Sequence, residues 1–186
     1  MKQLKTFFLF VGMLALLLST TGCLNVLSYK SKIEVIGVGK GTRAAGFHEG
    51  AYIDPTNKED PKPMVFKWDK SRNEYEIRVG DSKPDRFRLM HLRKNHYLFQ
   101  AYSEKEDYKE DYYEYAIIKI SGDTLDFLNI KEDYEEKVEK LLKKYHLTVN
   151  EDDEITGTKK TLKSFFKKLV KAKYLESGIL LKYKGE

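Results

Sequence analysis

Alternation between apolar and polar residues is the main pattern along the chain from residue 64 onward. In 64–68, Met, Phe and Trp are separated by Val and Lys, and in 75–79, Tyr, Ile and Val are separated by Glu and Arg. Successive side chains of a strand point to opposite faces, so this period of two predicts strands with one buried face. Further strands are predicted at 86–92, 96–102, 113–120, 125–130 and 179–183.

Polar clusters separate these strands at 70–73, 93–95 and 121–123. Gly122 can adopt the positive φ that a tight hairpin turn requires. The segment 55–63 contains three prolines, which lack a backbone N–H, so it is predicted to be a loop rather than a central strand. Because hairpin turns join antiparallel neighbours, we expect an antiparallel sheet.

Two amphipathic helices are predicted, at about 132–146 and about 158–175. In each, apolar residues recur at helical spacing and so share one face. Those faces consist of Tyr134, Val138, Leu141, Leu142 and Tyr145 in the first helix, and of Leu162, Phe165, Phe166, Leu169 and Val170 in the second. Thr158 is the predicted N-cap of the second helix, and Gly178 is predicted to end the helical part before the last strand.

The expected fold class is therefore α+β and mostly antiparallel β, forming a barrel or a strongly curved sheet with the two helices packed at one end. The length of the chain suits a single β-rich domain over 33–186 with one core. The residues predicted to be buried together are Phe66, Trp68, Ile77, Leu89, Ile118, Leu125, Leu142, Phe165 and Leu169.

Residues 1–22 have the pattern of a signal peptide. Lys2 and Lys5 precede an apolar run at 6–18, and small residues follow that run. The run is shorter than the roughly 20 apolar residues that a membrane-spanning helix requires. Cleavage after residue 22 is therefore expected, with an uncleaved anchor as the alternative.

Cys23 is the single cysteine of the chain, so no disulfide framework is expected. With Gly22 before it, Cys23 resembles the lipid-attachment cysteine of bacterial lipoproteins, although Leu is usual where Thr20 stands. The resemblance implies an acylated, palmitate-bearing N-terminus and a place in the cell envelope. Residues 24–32 lack a clear period and have mixed polarity, so 23–32 is predicted to be the lipidated cysteine and a tether. An Asp directly after the cysteine resembles an inner-membrane retention signal. Leu24 stands at that position, so the outer membrane is expected if the host has two membranes. An incidental cysteine is the alternative.

Charge excludes one class of partner and suggests another. Without the signal peptide, 32 basic residues face 29 acidic ones, a formal charge of +3 that gives no case for nucleic-acid binding. The second helix, however, carries a lysine face that includes Lys159, Lys160, Lys163 and Lys167. Lys159 and Lys160 oppose the helix dipole, so contact with anionic lipid or an acidic partner is predicted, against the alternative of solvated lysines.

A second candidate contact lies in the acidic, tyrosine-rich stretch 104–114, where Tyr108 and Tyr112 offer rigid apolar surface. The alternative is a solvated hairpin loop. The histidines His48, His91, His96 and His146 lack evident further ligands, so no metal is expected. The Gly-rich stretch 37–42 does not match the sequence pattern of a phosphate-binding loop. With no signature turn for a nucleophile, neither an enzyme nor a cofactor is expected.

Three stretches carry a resemblance to a known group of proteins. They are 87–93 with 97–100 (Phe-Arg-Leu-Met-His-Leu-Arg and Tyr-Leu-Phe-Gln), 115–125 (Tyr-Ala-Ile-Ile-Lys-Ile-Ser-Gly-Asp-Thr-Leu) and 155–166 (Ile-Thr-Gly-Thr-Lys-Lys-Thr-Leu-Lys-Ser-Phe-Phe). The chain resembles uncharacterised bacterial secreted and lipid-anchored proteins. The resemblance implies a calycin-like barrel with a helical segment near the C-terminus, and no established activity.

Two functions remain open at this point. The first is a lipid-anchored envelope lipoprotein whose barrel binds a small apolar ligand without catalysis. The alternative is an interaction protein with a filled barrel, which contacts an envelope protein or an anionic membrane surface. An internal void favours the first, and a packed interior favours the second.

Overall fold

The computed structural model of the protein describes residues 28–57, 62–103, 112–151 and 153–185. The strands are β1 Tyr29–Ser31, β2 Gly50–Ile53, β3 Met64–Asp69, β4 Glu74–Val79, β5 Asp85–Arg93, β6 His96–Ser103, β7 Tyr112–Ser121, β8 Thr124–Ile130, β9 Thr148–Val149, β10 Ile155–Thr156 and β11 Leu175–Gly185. A 3-10 turn at Glu132–Tyr134 leads into α1 Glu135–Lys144, and α2 is Lys159–Ala172. All seven strands expected from the alternation are present.

Eight strands close into an antiparallel barrel. Neighbours follow the order β7, β6, β5, β4, β3, β2, β11 and β8, and β8 pairs back onto β7. The closing pairs run from Ile118 opposite Phe127 to Ser121 opposite Thr124. The expectation of an antiparallel sheet is therefore confirmed, and the sheet is closed.

The first strand corrects the predicted tether. Residues 23–32 were assigned to a tether because they lack a clear period, but Tyr29–Ser31 pair with the first half of β7. Tyr29 and Ser31 are both buried, and the Ser31 hydroxyl donates to the carbonyl of Ile155 at 2.8 Å. A strand of three residues is too short to show a period, which explains why the sequence pattern missed it.

The barrel wall separates two hydrophobic clusters rather than enclosing one core. The inner cluster contains Phe66, Ile77, Leu89, Ile118 and Leu125, with Trp68 packed against it at partial burial. The outer cluster contains Phe165 and Leu169 from α2, and Leu142 from α1 packs against it. Because β6, β7 and β8 bury both faces, the expectation of a single core was wrong, although the predicted residues are buried or half-buried.

The helices begin close to where the sequence placed them. Thr158 is the N-cap of α2: its hydroxyl accepts from the backbone N–H of Thr161 at 3.2 Å, as predicted. The helix ends at Ala172 because Lys173 adopts a left-handed conformation with φ of 59°. Gly178 does not end the helix. It lies within β11 at a register shift, where a Cβ would come within 2.5 Å of the Phe127 carbonyl oxygen.

None of the helices in the described ranges has the length and apolar character needed to cross a bilayer.

The packing of α2 on the outside of the barrel predicts a large loss of stability for Phe165→Ala. Phe165 is fully buried, so its truncation leaves a cavity and is expected to cost about 3–5 kcal/mol in the free energy of unfolding, measured by urea denaturation. Lys163→Ala is the matched control, because Lys163 faces solvent on the same helix. Equal unfolding midpoints for the two variants would contradict this packing.

Candidate functional site

One end of the barrel is closed by a plug, the loop formed by residues 43–49. The ring of Phe47 enters the barrel and packs against Tyr52, Phe66 and Tyr75, with ring centroids 5.6, 5.4 and 4.8 Å away. The backbone N–H of Ala44 donates to the Tyr75 hydroxyl at 3.0 Å. Burial raises the pKa of Tyr75 to about 12, so this hydroxyl stays neutral at physiological pH.

The half of the interior next to the plug is filled by the wall's own side chains. Phe87 stacks between Tyr75 and Phe99, with ring centroids 5.1 and 4.6 Å away. The inward-pointing residues here are no more than 2% exposed: Tyr52, Phe66, Tyr75, Phe87, Leu89, Ile118, Leu125 and Leu181. Tyr97 and Ile120 at this end retain 4% exposure, Phe47 of the plug retains 7%, and Trp68 and Tyr183 are half-buried.

The opposite half of the interior is packed less completely. There, every inward-pointing apolar residue retains 4–7% exposure: Met64, Ile77, Val79, Phe99, Ala101, Ala116, Phe127 and Ile179. Val79 is the last residue of β4 and Met64 the first of β3, so this half lies at the strand ends away from the plug. Ala101 and Ala116 contribute only methyl groups to it. We call this half of the interior the cup.

The wall of the cup includes two buried polar side chains among the described residues, those of Asn129 and of Glu114, which lies opposite Ala101. Asn129 follows Phe127 by two residues on β8 and therefore lies on the same inner face. It is 7% exposed, and its Oδ1 is buried without a hydrogen-bond partner. The described lining of the cup is thus apolar apart from the Asn129 amide and the Glu114 carboxylate. Neither the alternation nor any motif indicated Asn129, because its burial depends on closure of the barrel.

A second concavity, of about 290 Å³, lies on the outer face of β4, β5 and β6. The Glu74 carboxylate accepts there from Arg86 at 2.9 Å and from Arg88 at 3.3 Å. Arg88 also donates to Glu34 at 2.6 Å, which attaches the 33–41 segment to the wall. Because these charges pair with one another, we assign this concavity a structural role. Val38 and Tyr102 on its rim are exposed.

The predicted lysine face is present on α2. Lys159, Lys160, Lys163 and Lys167 are all exposed, while the apolar side of the same helix is buried against the barrel. The Nζ of Lys159 and the Oε2 of Glu34 each lie 4.0 Å from the position of a Cβ on Gly37.

Of the remaining predicted site residues, Tyr108, Tyr112 and Cys23, the structure describes only Tyr112. Tyr112 begins β7 opposite Ser103 and is half-buried, whereas Tyr108 and Cys23 lie outside the described residues. The relative position of the two tyrosines is therefore not described. Tyr112 belongs to the sheet ladder, which is a structural role.

The histidines form no metal site among the described residues, where no group of three potential ligands converges. His91 is exposed, and its Nε2 lies 2.6 Å from the carbonyl oxygen of Lys94 in the hairpin turn. His96 is half-buried, and burial lowers the pKa of its imidazole. His91 is therefore held by its own hairpin, whereas the buried Nδ1 of His96 has no hydrogen-bond partner.

Comparison of the chain with known protein families, with curated proteins and with solved structures gives no significant match in any of the three. The function must consequently be argued from the cup and the surfaces of the barrel.

Proposed function

We propose that this chain is a lipid-anchored envelope lipoprotein whose barrel binds a small apolar ligand in the cup. The observation that carries the proposal is the closed eight-stranded barrel, whose inner face away from the plug is mainly apolar and retains 4–7% exposure. A barrel of eight strands has room for either side chains or one small ligand. The eight-stranded antiparallel closure with helices late in the chain is also what a calycin-like fold requires.

The ligand class follows from the lining of the cup. Its walls are mainly methyl, thioether, aliphatic and aromatic groups, with one amide and one carboxylate, so the favourable contribution to binding is removal of apolar surface from water. The one buried carboxylate on the described inner face, that of Glu114 opposite Ala101, does not favour an anionic ligand. A neutral, compact and mainly hydrocarbon molecule therefore suits the cup.

Filling the cup is expected to abolish ligand binding without unfolding the barrel. Ala101→Leu adds three carbon atoms on the inner face. The test ligand is 2-methylnaphthalene, whose fluorescence reports binding. The variant should bind at least tenfold more weakly than the unmodified protein. Val65→Leu, on the exposed outer face of β3, is the matched control and should bind normally. Absence of binding by the unmodified protein contradicts the proposal.

The signal peptide, the lone thiol and Gly22 together support lipidation of Cys23 with palmitate-type acyl chains. Several acyl chains hold a protein stably at a bilayer, whereas one holds it only marginally. A mature N-terminus at Cys23 also explains why an exported chain carries a cysteine with no partner.

Cys23→Ser is therefore expected to release the protein into the soluble fraction of its host, because the acyl chains can no longer be attached. The measurement is immunoblotting of membrane and soluble fractions after a carbonate wash. Retention of the variant in the washed membranes is the outcome that rules out a lipid anchor at Cys23. A conservative Leu24→Ala variant serves as the control and should stay in the membrane.

A second candidate function, contact with anionic membrane, is favoured by the position of β1. The Tyr29 ring packs against Phe165 and Phe166 of α2, with centroids 6.1 and 6.4 Å away. Six residue steps separate Tyr29 from Cys23, and an extended chain covers at most about 3.6 Å per step. A lipid on Cys23 thus holds α2 within roughly 20 Å of the bilayer, where exposed lysines attract anionic headgroups.

Soluble protein lacking residues 1–23 is expected to bind vesicles containing phosphatidylserine better than vesicles of phosphatidylcholine alone, and salt should weaken this binding. Changing Lys159, Lys160, Lys163 and Lys167 to Glu should abolish the preference, with stability unchanged or slightly increased. The control changes four exposed lysines of α1 to Glu: Lys137, Lys140, Lys143 and Lys144. If the unmodified protein sediments equally with both vesicle types, the prediction is contradicted and the lysines are only solvated surface.

A further inference from the structure

Val38 is the most exposed large apolar side chain in the part of the chain that the structure describes. It is 74% exposed, compared with 43% for Val65 and 40% for Tyr102. Val38 stands at the corner of a tight turn, in which the backbone N–H of Lys40 donates to the carbonyl of Gly37 at 3.0 Å. Its side chain therefore projects from the surface into solvent.

The turn is attached to the barrel on both sides of Val38. Before the turn, the Gln100 amide donates to the carbonyl of Ile36 at 2.9 Å. After the corner, the side chain of Asn73 donates to the carbonyl of Gly39 at 3.2 Å. Gly39 has a φ of 69°, a left-handed conformation that glycine adopts without strain. The fold therefore presents the exposed valine at a defined place on the outside of the barrel.

Positive charge flanks this turn. Lys40 is exposed at the end of the turn, and the Nζ of Lys159 lies 4.0 Å from the position of a Cβ on Gly37. The acid beside the turn, Glu34, accepts a hydrogen bond from Arg88 at 2.6 Å. A single exposed valine is ordinary on a protein surface. An apolar tip flanked by lysines, however, combines the two contributions that bind a protein to an anionic bilayer, apolar burial and charge.

We infer that Val38 enters the headgroup region of an anionic bilayer while Lys40 and the lysine face of α2 contact the anionic headgroups. This inference rests on the second candidate function, contact with anionic membrane. A lipid on Cys23 holds α2 within roughly 20 Å of the bilayer, and Lys159 at the start of α2 lies beside the turn. Because the apolar stripe of α2 is buried against the barrel, the turn supplies the apolar contact that the helix cannot.

Substitutions that change apolar area without changing charge separate insertion from electrostatic attraction. In soluble protein lacking residues 1–23, Val38→Ser is expected to bind vesicles containing phosphatidylserine about fivefold more weakly than the unmodified protein. Val38→Phe adds apolar surface and should bind about fivefold more tightly. Sedimentation over a range of lipid concentrations measures both affinities.

The matched control is Val65→Ser, which should bind as the unmodified protein does. Val65 is also an exposed valine, but it lies near the end of β3 away from the β3–β4 hairpin that contacts the turn. Equal, salt-sensitive binding by the unmodified protein and Val38→Ser overturns the inference and leaves contact by charge alone. No preference for phosphatidylserine by the unmodified protein overturns the second candidate function and the inference together.

The depth of residue 38 can be measured directly, because the chain lacking residues 1–23 contains no cysteine. Val38→Cys labelled with a nitrobenzoxadiazole fluorophore is expected to shift its emission to shorter wavelength when phosphatidylserine vesicles are added. The same fluorophore on Val65→Cys should keep its emission unchanged. An unshifted label at position 38 on vesicle-bound protein also overturns the inference, because the turn then stays in water.

Discussion

Pairing of β8 with the second half of β7 is the contact on which the rest of the structure depends. It converts a curved sheet into a closed barrel, so no strand of the barrel is left with a free edge along this seam. Closure also fixes an interior volume that side chains must fill. The first half of β7, which β8 does not reach, is covered instead by β1. One long strand thus completes the barrel and joins the N-terminal segment to it.

The interior volume is filled unequally, and the reason lies in where large side chains enter. Aromatic rings from the wall meet beside the plug, and Phe47 adds a further ring from the 43–49 loop. At the other end the wall supplies Ala101 and Ala116, which are too small to reach the barrel axis. The two ends of the interior therefore differ in the size of some of the side chains that line them.

The outer face of the wall imposes a separate requirement, because β6, β7 and β8 carry apolar residues on both sides. Covering those residues with α2 buries the apolar stripe of the helix and leaves its lysines in water. The stripe cannot also enter a bilayer, so membrane contact by this helix is limited to charge. Elsewhere on the wall, Arg88 and Gln100 bind the 33–41 segment and hold it across β5 and β6.

The sequence by itself determined the long strands, the hairpin turns, the two helices and the N-cap at Thr158. These features depend on a period of two, a helical period or a local hydrogen bond, all of which neighbouring residues encode. The lysine face was predictable for the same reason. Short strands such as Tyr29–Ser31 were not predicted, because three residues cannot establish a period.

Only the tertiary structure decided that the wall divides the apolar residues into two clusters. It also decided that Gly178 lies in a β11 irregularity, and that Asn129 faces the cup without a partner. Alternation shows that a strand has a buried face, but not which apolar layer covers it. The inner face of β8 becomes an interior only when β8 meets β7 and β11, residues that are distant in the chain. The cup is consequently a property of barrel closure.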